Sequence, residues 1–306
     1  MNTRRILTVL CMLAVAWSVS TEALAGGGQH YPNGAEGCFC GAAPPPGWYF
    51  FNYFLYYKAD AFTDDAGKTI TAGPFADFDA TVWADVVRVL YSSKHEIFGG
   101  TWMAHIFIPY LDIDFDSLGI SDSGLGDIII DPFIVAWHGQ TYHAVAGIDI
   151  FVPTGDYTRG NPASVGKNFW TIEPVAAFTG IYQNGLSWSI KLMYDFNTKN
   201  DDFLNPATGT IGKLEPGQEF HFDYSVAYNV GSGFRVGVAG YYYAQVTDDE
   251  FDGVEMEDAR GKVLAIGPAV KYDYNNMIFE GRYFWETEAE NRPEGEGFWL
   301  KFIYAF

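Results

Sequence analysis

The last nine residues of the sequence, 298–306, read FWLKFIYAF and indicate the fold. Every second residue from Phe298 to Phe306 is large and apolar or aromatic, whereas Lys301 falls on the opposite face. Strict alternation with a period of two is typical of a β-strand that presents one face to an apolar medium. The sequence therefore predicts a final strand with one aromatic face and one sparsely charged face.

The same alternation recurs along most of the chain in about twelve segments of roughly ten residues. In several of them, such as 186–197, 218–229 and 277–287, one face is apolar and aromatic, and the other mixes a few charges with small residues. The segment 79–91 is the least regular, because Asp85 and Arg88 fall on opposite faces unless a bulge intervenes. The predicted strands are 48–59, 79–91, 101–110, 127–137, 142–153, 168–179, 186–197, 218–229, 234–246, 260–272, 277–287 and 298–306.

The connections between these segments alternate between long and short, which a soluble β-sandwich has no reason to do. This pattern is typical of outer-membrane proteins, in which long loops face outside and short turns face the periplasm. We therefore predict an all-β fold, a transmembrane antiparallel up-and-down β-barrel of about 12 strands over residues 48–306, with both termini in the periplasm. The long connections are 60–78, 111–126, 154–167, 198–217, 247–259 and 288–297, and the short ones are 92–100, 138–141, 180–185, 230–233 and 273–276.

Composition excludes several classes of protein. The 306 residues include 38 acidic and 18 basic side chains, for a net charge of −20, so the chain lacks the basic surface that binds nucleic acid. Aromatic residues make up 18% of the chain, which argues against disorder. Much of the acidic charge falls in the predicted outer loops, and acidic pore mouths favour neutral or cationic solutes.

The N-terminal region predicts export. Residues 1–25 have the form of a signal peptide, with Arg4 and Arg5 before an apolar run over 6–19 and a cleavage site at Ala23-Leu24-Ala25. We expect the mature chain in the outer membrane of a Gram-negative bacterium, in contact with lipid and lipopolysaccharide. Residues 26–47 form a segment rich in Gly and Pro, for which two interpretations stay open: a plug that enters the barrel from the periplasmic end, or a disordered tail.

Charged side chains recur on the predicted inner face and form the candidate site. Two interpretations stay open here too: a polar constriction that orients a permeant molecule, or a ladder of salt bridges that fills a closed barrel. Pro132 and Pro174 lie inside predicted strands, where proline removes a ladder hydrogen bond, so we expect bulges or kinks that either re-aim a side chain or open a lateral gap in the wall. The candidate lumen-lining residues are Glu173, Lys191, His221, Asp223, Arg235, Glu280, Arg282 and Lys301.

Catalytic motifs do not occur in the sequence: G-x-S-x-G, H-E-x-x-H and the phosphate loop are all missing. We therefore expect no catalytic residues and no cofactor. Cys38 and Cys40 flank one residue and have no further ligands at a useful spacing, so the sequence indicates no metal site there. A disulfide across one residue would be strained, and the spacing favours an incidental pair.

Several motifs together resemble the MetA-pathway phenol-degradation family of outer-membrane proteins. The resemblance implies a transport role linked to aromatic catabolism. The chain's final Phe306 also resembles the signal by which the barrel-assembly machinery recognises its clients. We expect a channel for passive uptake of small hydrophobic or aromatic compounds, with a non-transporting structural or surface-interaction barrel as the alternative. The motifs are HYPNGAEG (30–37), PPPG (44–47), GLGD (124–127), DP (131–132), AWH (136–138), FVPTGDY (151–157), GKNFW (166–170) and EP (173–174).

Overall fold

The structure, a computed structural model, describes residues 29–206 and 208–306. The predicted signal peptide, 1–25, lies outside the described residues. Two short 3-10 turns occur, at Gly73–Phe75 and Asp116–Leu118, and no helix in the described ranges is long and apolar enough to cross a membrane.

Seventeen β-strands account for nearly all of the described secondary structure. They are β1 Gly47–Phe62, β2 Ala80–Ile97, β3 Gly100–Phe115, β4 Ile120–Leu125, β5 Ile128–His138, β6 Tyr142–Val152, β7 Thr171–Ile181, β8 Leu186–Asn197, β9 Asn200–Asn205, β10 Thr210–Glu215, β11 Glu219–Gly231, β12 Phe234–Gln245, β13 Asp249–Phe251, β14 Val254–Met256, β15 Lys262–Tyr274, β16 Met277–Glu290 and β17 Pro293–Ala305.

Twelve of these strands form a closed antiparallel barrel. The main sheet contains every strand except β9, β10, β13 and β14, and β4 extends it only as a hairpin partner of β3. Strand β1 pairs with both β2 and β17, which closes the ring. The all-β barrel and the strand count predicted from the sequence are thereby confirmed. The four remaining strands form a small sheet in the long connections.

The long and short connections lie at opposite ends of the barrel, named here the long-loop end and the short-turn end. The main difference from the sequence prediction is at 288–297, where β16 and β17 continue to a tight turn at Asn291 and Arg292. The polar composition of 288–297 predicted a loop. Strands that extend beyond the bilayer have water on their outer face, however, so polar residues there can still form a β-ladder. Likewise, the predicted turn 92–100 narrows to Phe98 and Gly99.

Strand β2, the least regular prediction, pairs with β1 in continuous register from Ala80 to Ser92 without a bulge. Arg88 therefore faces the lumen, and Asp85 lies on the outside of the barrel. There, Asn52 Nδ2 donates a 2.6 Å hydrogen bond to Asp85 Oδ1. This pair partly satisfies a carboxylate on an otherwise apolar surface.

The outer face of the wall is apolar, as the alternation predicted, whereas the inner face is more apolar than predicted. Outward side chains are mostly apolar and well exposed, and the buried inward side chains mix charged, polar and small residues with large apolar ones such as Phe51, Leu90 and Trp299. An apolar outer band around an interior that carries the charges is the arrangement of membrane barrels. Outward residues on the strands include Ile108, Phe178, Val226, Val238, Ile266, Phe279, Trp285 and Leu300.

Residues 29–46 pass through the lumen from one end of the barrel to the other. Gln29 Oε1 accepts a 3.4 Å hydrogen bond from Arg292 at the long-loop end. At the short-turn end, Ser92 Oγ donates a 3.1 Å hydrogen bond to the Pro44 carbonyl, and the Phe306 amide bonds Trp48 O. The expectation that both termini lie at the short-turn end is wrong for the first described residues, because polar side chains along the lumen bind this segment throughout its length.

The exposed apolar face generates a test of membrane insertion. Val238, near the middle of β12, is 46% exposed on the outer surface. Val238→Lys should cost roughly 2–4 kcal/mol of folding free energy in phospholipid vesicles, because the ammonium enters the hydrocarbon. Urea titration of folding into vesicles measures this cost. Val254→Lys, in the β14 hairpin and 69% exposed, is the matched control and should cost less than about 0.5 kcal/mol; equal costs would contradict the assignment.

Candidate functional site: the occupied lumen

Asp223 on β11 holds the first turn of the lumen segment. Its carboxylate accepts hydrogen bonds from Tyr31 Oη at 2.7 Å, the Gly34 amide at 2.8 Å and the Glu36 amide at 2.9 Å. Three donors around one buried carboxylate form a strong, directional anchor. Gly34 is needed here, since its φ is +78° and a Cβ atom would lie 2.6 Å from the ring of Phe284.

Glu36 is the charged centre of the segment. Arg88 lies 3.1 Å from one carboxylate oxygen and Lys301 lies 3.1 Å from the other. Tyr53 Oη donates a further hydrogen bond of 3.1 Å. The segment thus supplies the anion for two cations that project from opposite neighbours of β1, namely β2 and β17.

Glu280 and Arg282 on β16 hold the next residues. Lys301 Nζ lies 3.1 Å from Glu280 Oε2, and the Cys38 amide donates to Glu280 Oε1 at 2.8 Å. Arg282 donates to the Ala35 carbonyl at 2.8 Å. The backbone of the segment therefore takes hydrogen bonds that a free lumen wall would direct to water.

Phe39 fills the lumen nearer the short-turn end. Its ring lies between two cations, with Arg235 at 4.9 Å and Lys271 at 4.7 Å from the centroid. Its amide donates to Ser189 Oγ at 2.8 Å. Cys38 and Cys40 on either side are free thiols. Aromatic contact with both cations is favourable because the ring face is electron-rich.

At the long-loop end, the motif residues bind one another. Asp127, between β4 and β5, accepts hydrogen bonds from the Gly155 amide at 2.8 Å, the Lys167 amide at 2.9 Å and His30 Nε2 at 2.9 Å. Burial alone would raise the pKa of Asp127, but these bonds hold it below its ordinary value. A Cβ atom at Gly166 would lie 2.6 Å from the Gly155 backbone, so glycine permits this close packing.

The structure places all eight predicted lumen residues on the inner face. Asp223, Glu280, Arg282 and Lys301 contact the lumen segment directly. Arg235 reaches it through the ring of Phe39. Lys191 Nζ lies 4.5 Å from the centroid of the Tyr31 ring. Glu173 and His221 are drawn together in a separate, fully buried cluster.

Sequence reasoning missed the residues that complete these pairs, chiefly Glu36, Arg88 and Tyr53. Glu36 lies in the HYPNGAEG motif, which was used as a resemblance and not as a source of partners. Arg88 alternates inward with Val86 and Leu90, so the register of β2 was the signal that could have found it. Of the two interpretations of the inward charges, the contacts favour the salt-bridge network, and this network also binds residues 29–46 inside the lumen.

Two cavities remain in the lumen around the segment. One of 330 Å³ lies towards the long-loop end, and one of 530 Å³ lies towards the short-turn end. Both reach Glu36, Lys191, Asp149 and Phe107, so the charged centre separates them. Much of the lining is apolar, as in small-molecule sites. Apolar residues lining the first include Leu55, Val82, Pro109, Ile113 and Phe151, and those lining the second include Phe51, Leu90, Met103, Ile134 and Val175.

The wall is interrupted between β5 and β6, beside the larger cavity. Pairing stops at Ile130 with Ile150 and resumes at Val135 with Ala146, with one extra residue on β5. Within this interval, Asp131 Oδ1 accepts from the Phe133 amide and Oδ2 from the Ile148 amide, both at 2.7 Å. The carboxylate thus replaces ladder hydrogen bonds.

The two prolines behave differently. Pro132 lies within the β5 bulge, where it supplies no amide hydrogen. Gly147 faces the bulge, and a Cβ atom there would lie 2.2 Å from Asp131 Oδ2. Pro174 on β7 stays in register opposite Ile148 and points outward. A side chain thus holds the wall apart at Pro132, and β6 and β7 stay paired at Pro174.

Comparison with known proteins settles the family. Residues 59–302 match the family described as "Putative MetA-pathway of phenol degradation". The chain belongs to this family. The match covers the barrel except most of β1 and the end of β17, and it confirms the resemblance seen in the motifs. The comparison with curated proteins finds no match.

Among the similar solved structures, the first supports the fold, and the other two are reported only as more distant matches. The COG4313 outer membrane channel from Pseudomonas putida F1 is similar with a TM-score of 0.75 at 16% identity, over 91% of this chain and 100% of that one. The beta domain of the Bordetella autotransporter BrkA has a TM-score of 0.48 at 13% identity, over 86% and 100%. A TodX monoaromatic hydrocarbon channel mutant has a TM-score of 0.46 at 10% identity, over 89% and 92%.

The charged centre gives a test of what holds the lumen segment. Glu36→Gln removes the anion that Arg88 and Lys301 share, and two buried cations are then left short of a partner. The variant should lose about 3–5 kcal/mol of unfolding free energy, measured by denaturant titration in micelles. Asp79→Asn removes the half-exposed pair with Lys58, 3.4 Å long, and should cost under about 1 kcal/mol. A Glu36→Gln cost as small as the control would contradict the account.

Proposed function

We propose that the protein is an outer-membrane channel for passive uptake of small hydrophobic or aromatic compounds. The observation that carries the proposal is the pair of largely apolar cavities, 330 and 530 Å³, that follow one another along the lumen. Cavities of this size fit small organic molecules. The family's description adds phenol degradation as the chemical context.

The mechanism we infer is diffusion through weak sites. A neutral aromatic solute would bind the apolar walls of the outer cavity, pass the charged centre at Glu36 and enter the larger cavity. Because Glu36, Arg88 and Lys301 pair with one another, their charges would not trap a neutral solute. We assign no catalytic residue to this path, and the solute leaves chemically unchanged.

The exit we infer is sideways. Asp131, Ile134 and Gly147 line the larger cavity and also border the interval in which β5 and β6 do not pair. Phe133 and Ile148 lie on the outer surface beside that interval. An apolar solute could therefore pass from the cavity into the hydrocarbon without crossing lipopolysaccharide. We propose no such exit at Pro174.

The proposed setting is the outer membrane of a Gram-negative bacterium. The apolar outer band would contact lipid, and the long connections would meet lipopolysaccharide. Phe306 at the end of β17 would be read by the barrel-assembly machinery during insertion.

A second function is favoured by one observation, the continuous hydrogen bonding of residues 31–41 to the lumen wall. A barrel filled in this way could serve structure or surface interaction without transport. The two proposals differ in uptake: only the channel accelerates entry of aromatic solutes into cells or vesicles.

The wall interruption gives the test of the channel. Asp131→Val with Pro132→Val removes the carboxylate that replaces the ladder and restores an amide donor, so β5 and β6 should pair more closely. Uptake of radiolabelled toluene or phenol by cells producing this variant should fall towards that of cells without the protein. Pro174→Ala, in a strand that is already in register, should leave uptake unchanged.

Heat-modifiable migration on denaturing gels serves as the folding control for both variants. Unchanged uptake by the folded double variant would contradict the lateral exit. No acceleration by the unaltered protein would contradict the channel and favour the structural barrel.

A further inference from the structure

Three adjacent strands bring ligand-type side chains to one fully buried point of the wall. Glu173 on β7, Asp195 on β8 and His221 on β11 are all 0% exposed. One carboxylate oxygen from each acid and one imidazole nitrogen lie within 4.8 Å of one another. From the alternation of the strands alone, His221 and Glu173 could be recognised only as charges of the lumen wall.

The polar atoms of this cluster lie near one another but form no hydrogen bonds among the described residues. Within the described part of the chain, neither ring nitrogen of His221 and no carboxylate oxygen of Glu173 or Asp195 takes part in a hydrogen bond. His221 Nε2 lies 3.4 Å from an oxygen of each acid. Buried polar groups are nearly always satisfied, so a group of orphaned atoms aimed at one point calls for a ligand.

Charge leads to the same conclusion. Glu219 lies opposite Asp195 in the β8–β11 ladder, is also fully buried and also lacks hydrogen-bond partners for its carboxylate. Lys191 Nζ is 4.0 Å from Glu173 but only 3.7 Å from Asp149, so its charge is shared. Three buried carboxylates face one shared lysine and His221, which can carry one positive charge, so negative charge remains in excess and costs free energy unless a further cation balances it.

We propose that Glu173, Asp195 and His221 bind a divalent transition-metal ion such as Zn²⁺. Imidazole nitrogen with carboxylate oxygens is a donor set that Zn²⁺ accepts. Ca²⁺ and Mg²⁺ prefer oxygen ligands alone, so the histidine disfavours them. The ion would link β7, β8 and β11 and neutralise the carboxylates.

A second histidine cluster serves as a comparison. His105 lies near Asp131 and Asp149 with similar spacing. Its nitrogens, however, already lie 2.7 Å from Asp149 and 2.8 Å from Arg88, and Asp131 accepts two backbone amides. Because these atoms are satisfied, we assign no ion to this cluster.

The proposed ion lies directly beneath the lumen segment. The ring of Tyr31 lies over His221 with 5.0 Å between centroids, and Tyr31 also binds Asp223. The site is therefore closed off from the lumen by a residue of the segment, and the ion acts as a structural clamp. It needs no exchange with solutes.

The test uses the full chain, stripped of metal by a chelator while unfolded and then refolded in detergent with or without Zn²⁺. We expect one zinc ion per chain by elemental analysis and a zinc-dependent rise in the unfolding temperature. X-ray absorption should show imidazole and oxygen ligands at about 2.0–2.1 Å. His221→Gln and Asp195→Asn should each abolish both the bound zinc and the rise, and His105→Gln should retain them.

Unfolding temperatures of the same variants without metal separate loss of zinc binding from misfolding. In the stripped protein, Asp195→Asn should raise the unfolding temperature, because it removes one of the crowded carboxylates, so loss of zinc cannot be ascribed to misfolding. Zinc retained by folded His221→Gln, zinc lost in His105→Gln, or a stripped wild type that binds none would overturn the site. In the last case the carboxylates are held by shared protons.

Discussion

The structure depends on the pairing of buried charge inside a closed wall. A twelve-stranded barrel directs half of its side chains into a space that holds little water, where an unpaired ion costs several kcal/mol. Residues 31–41 supply these partners. Glu36 pairs with both Arg88 and Lys301, and backbone amides of the segment donate hydrogen bonds to Asp223 and Glu280. The segment therefore neutralises charges of the wall, and cavities remain in the lumen on both sides of its charged centre.

The need to satisfy buried polar groups also explains the gap in the pairing of β5 and β6. Where the ladder is continuous, alternation suffices to separate lipid from lumen. Where Asp131 enters the ladder, its carboxylate satisfies two amides that a strand partner would otherwise bind. The Asp131 side chain thus keeps β5 and β6 unpaired at this point and still satisfies their amides. Unpaired amides inside a bilayer would cost several kcal/mol each. The interruption and the larger cavity adjoin because Asp131 borders both.

Much of the fold could be predicted from the sequence, because alternation with a period of two indicates at once where a strand lies, which residues share a face and which face contacts lipid. All twelve barrel strands were found, and even β2 keeps its alternation through Asp85 and Arg88. The full length of β16 and β17 was not predicted, because strand residues outside the bilayer need no apolar outer face and therefore show no alternating pattern. Inward charges could be named from alternation, but partners such as Glu36 depend on the path of a segment without periodicity. The cluster of Glu173, Asp195 and His221 required the register of three strands.

The central claim is that the lumen segment, and not the barrel wall, limits passage. Single-channel conductance in planar bilayers tests it, by comparing the full chain with one that lacks residues 29–43. The account predicts a low conductance for the full chain and a much larger, steady conductance for the shortened one, because the closed ladder of β1 to β17 persists without the segment. Equal conductance from two folded proteins would show that the wall itself closes the lumen, and would contradict the account.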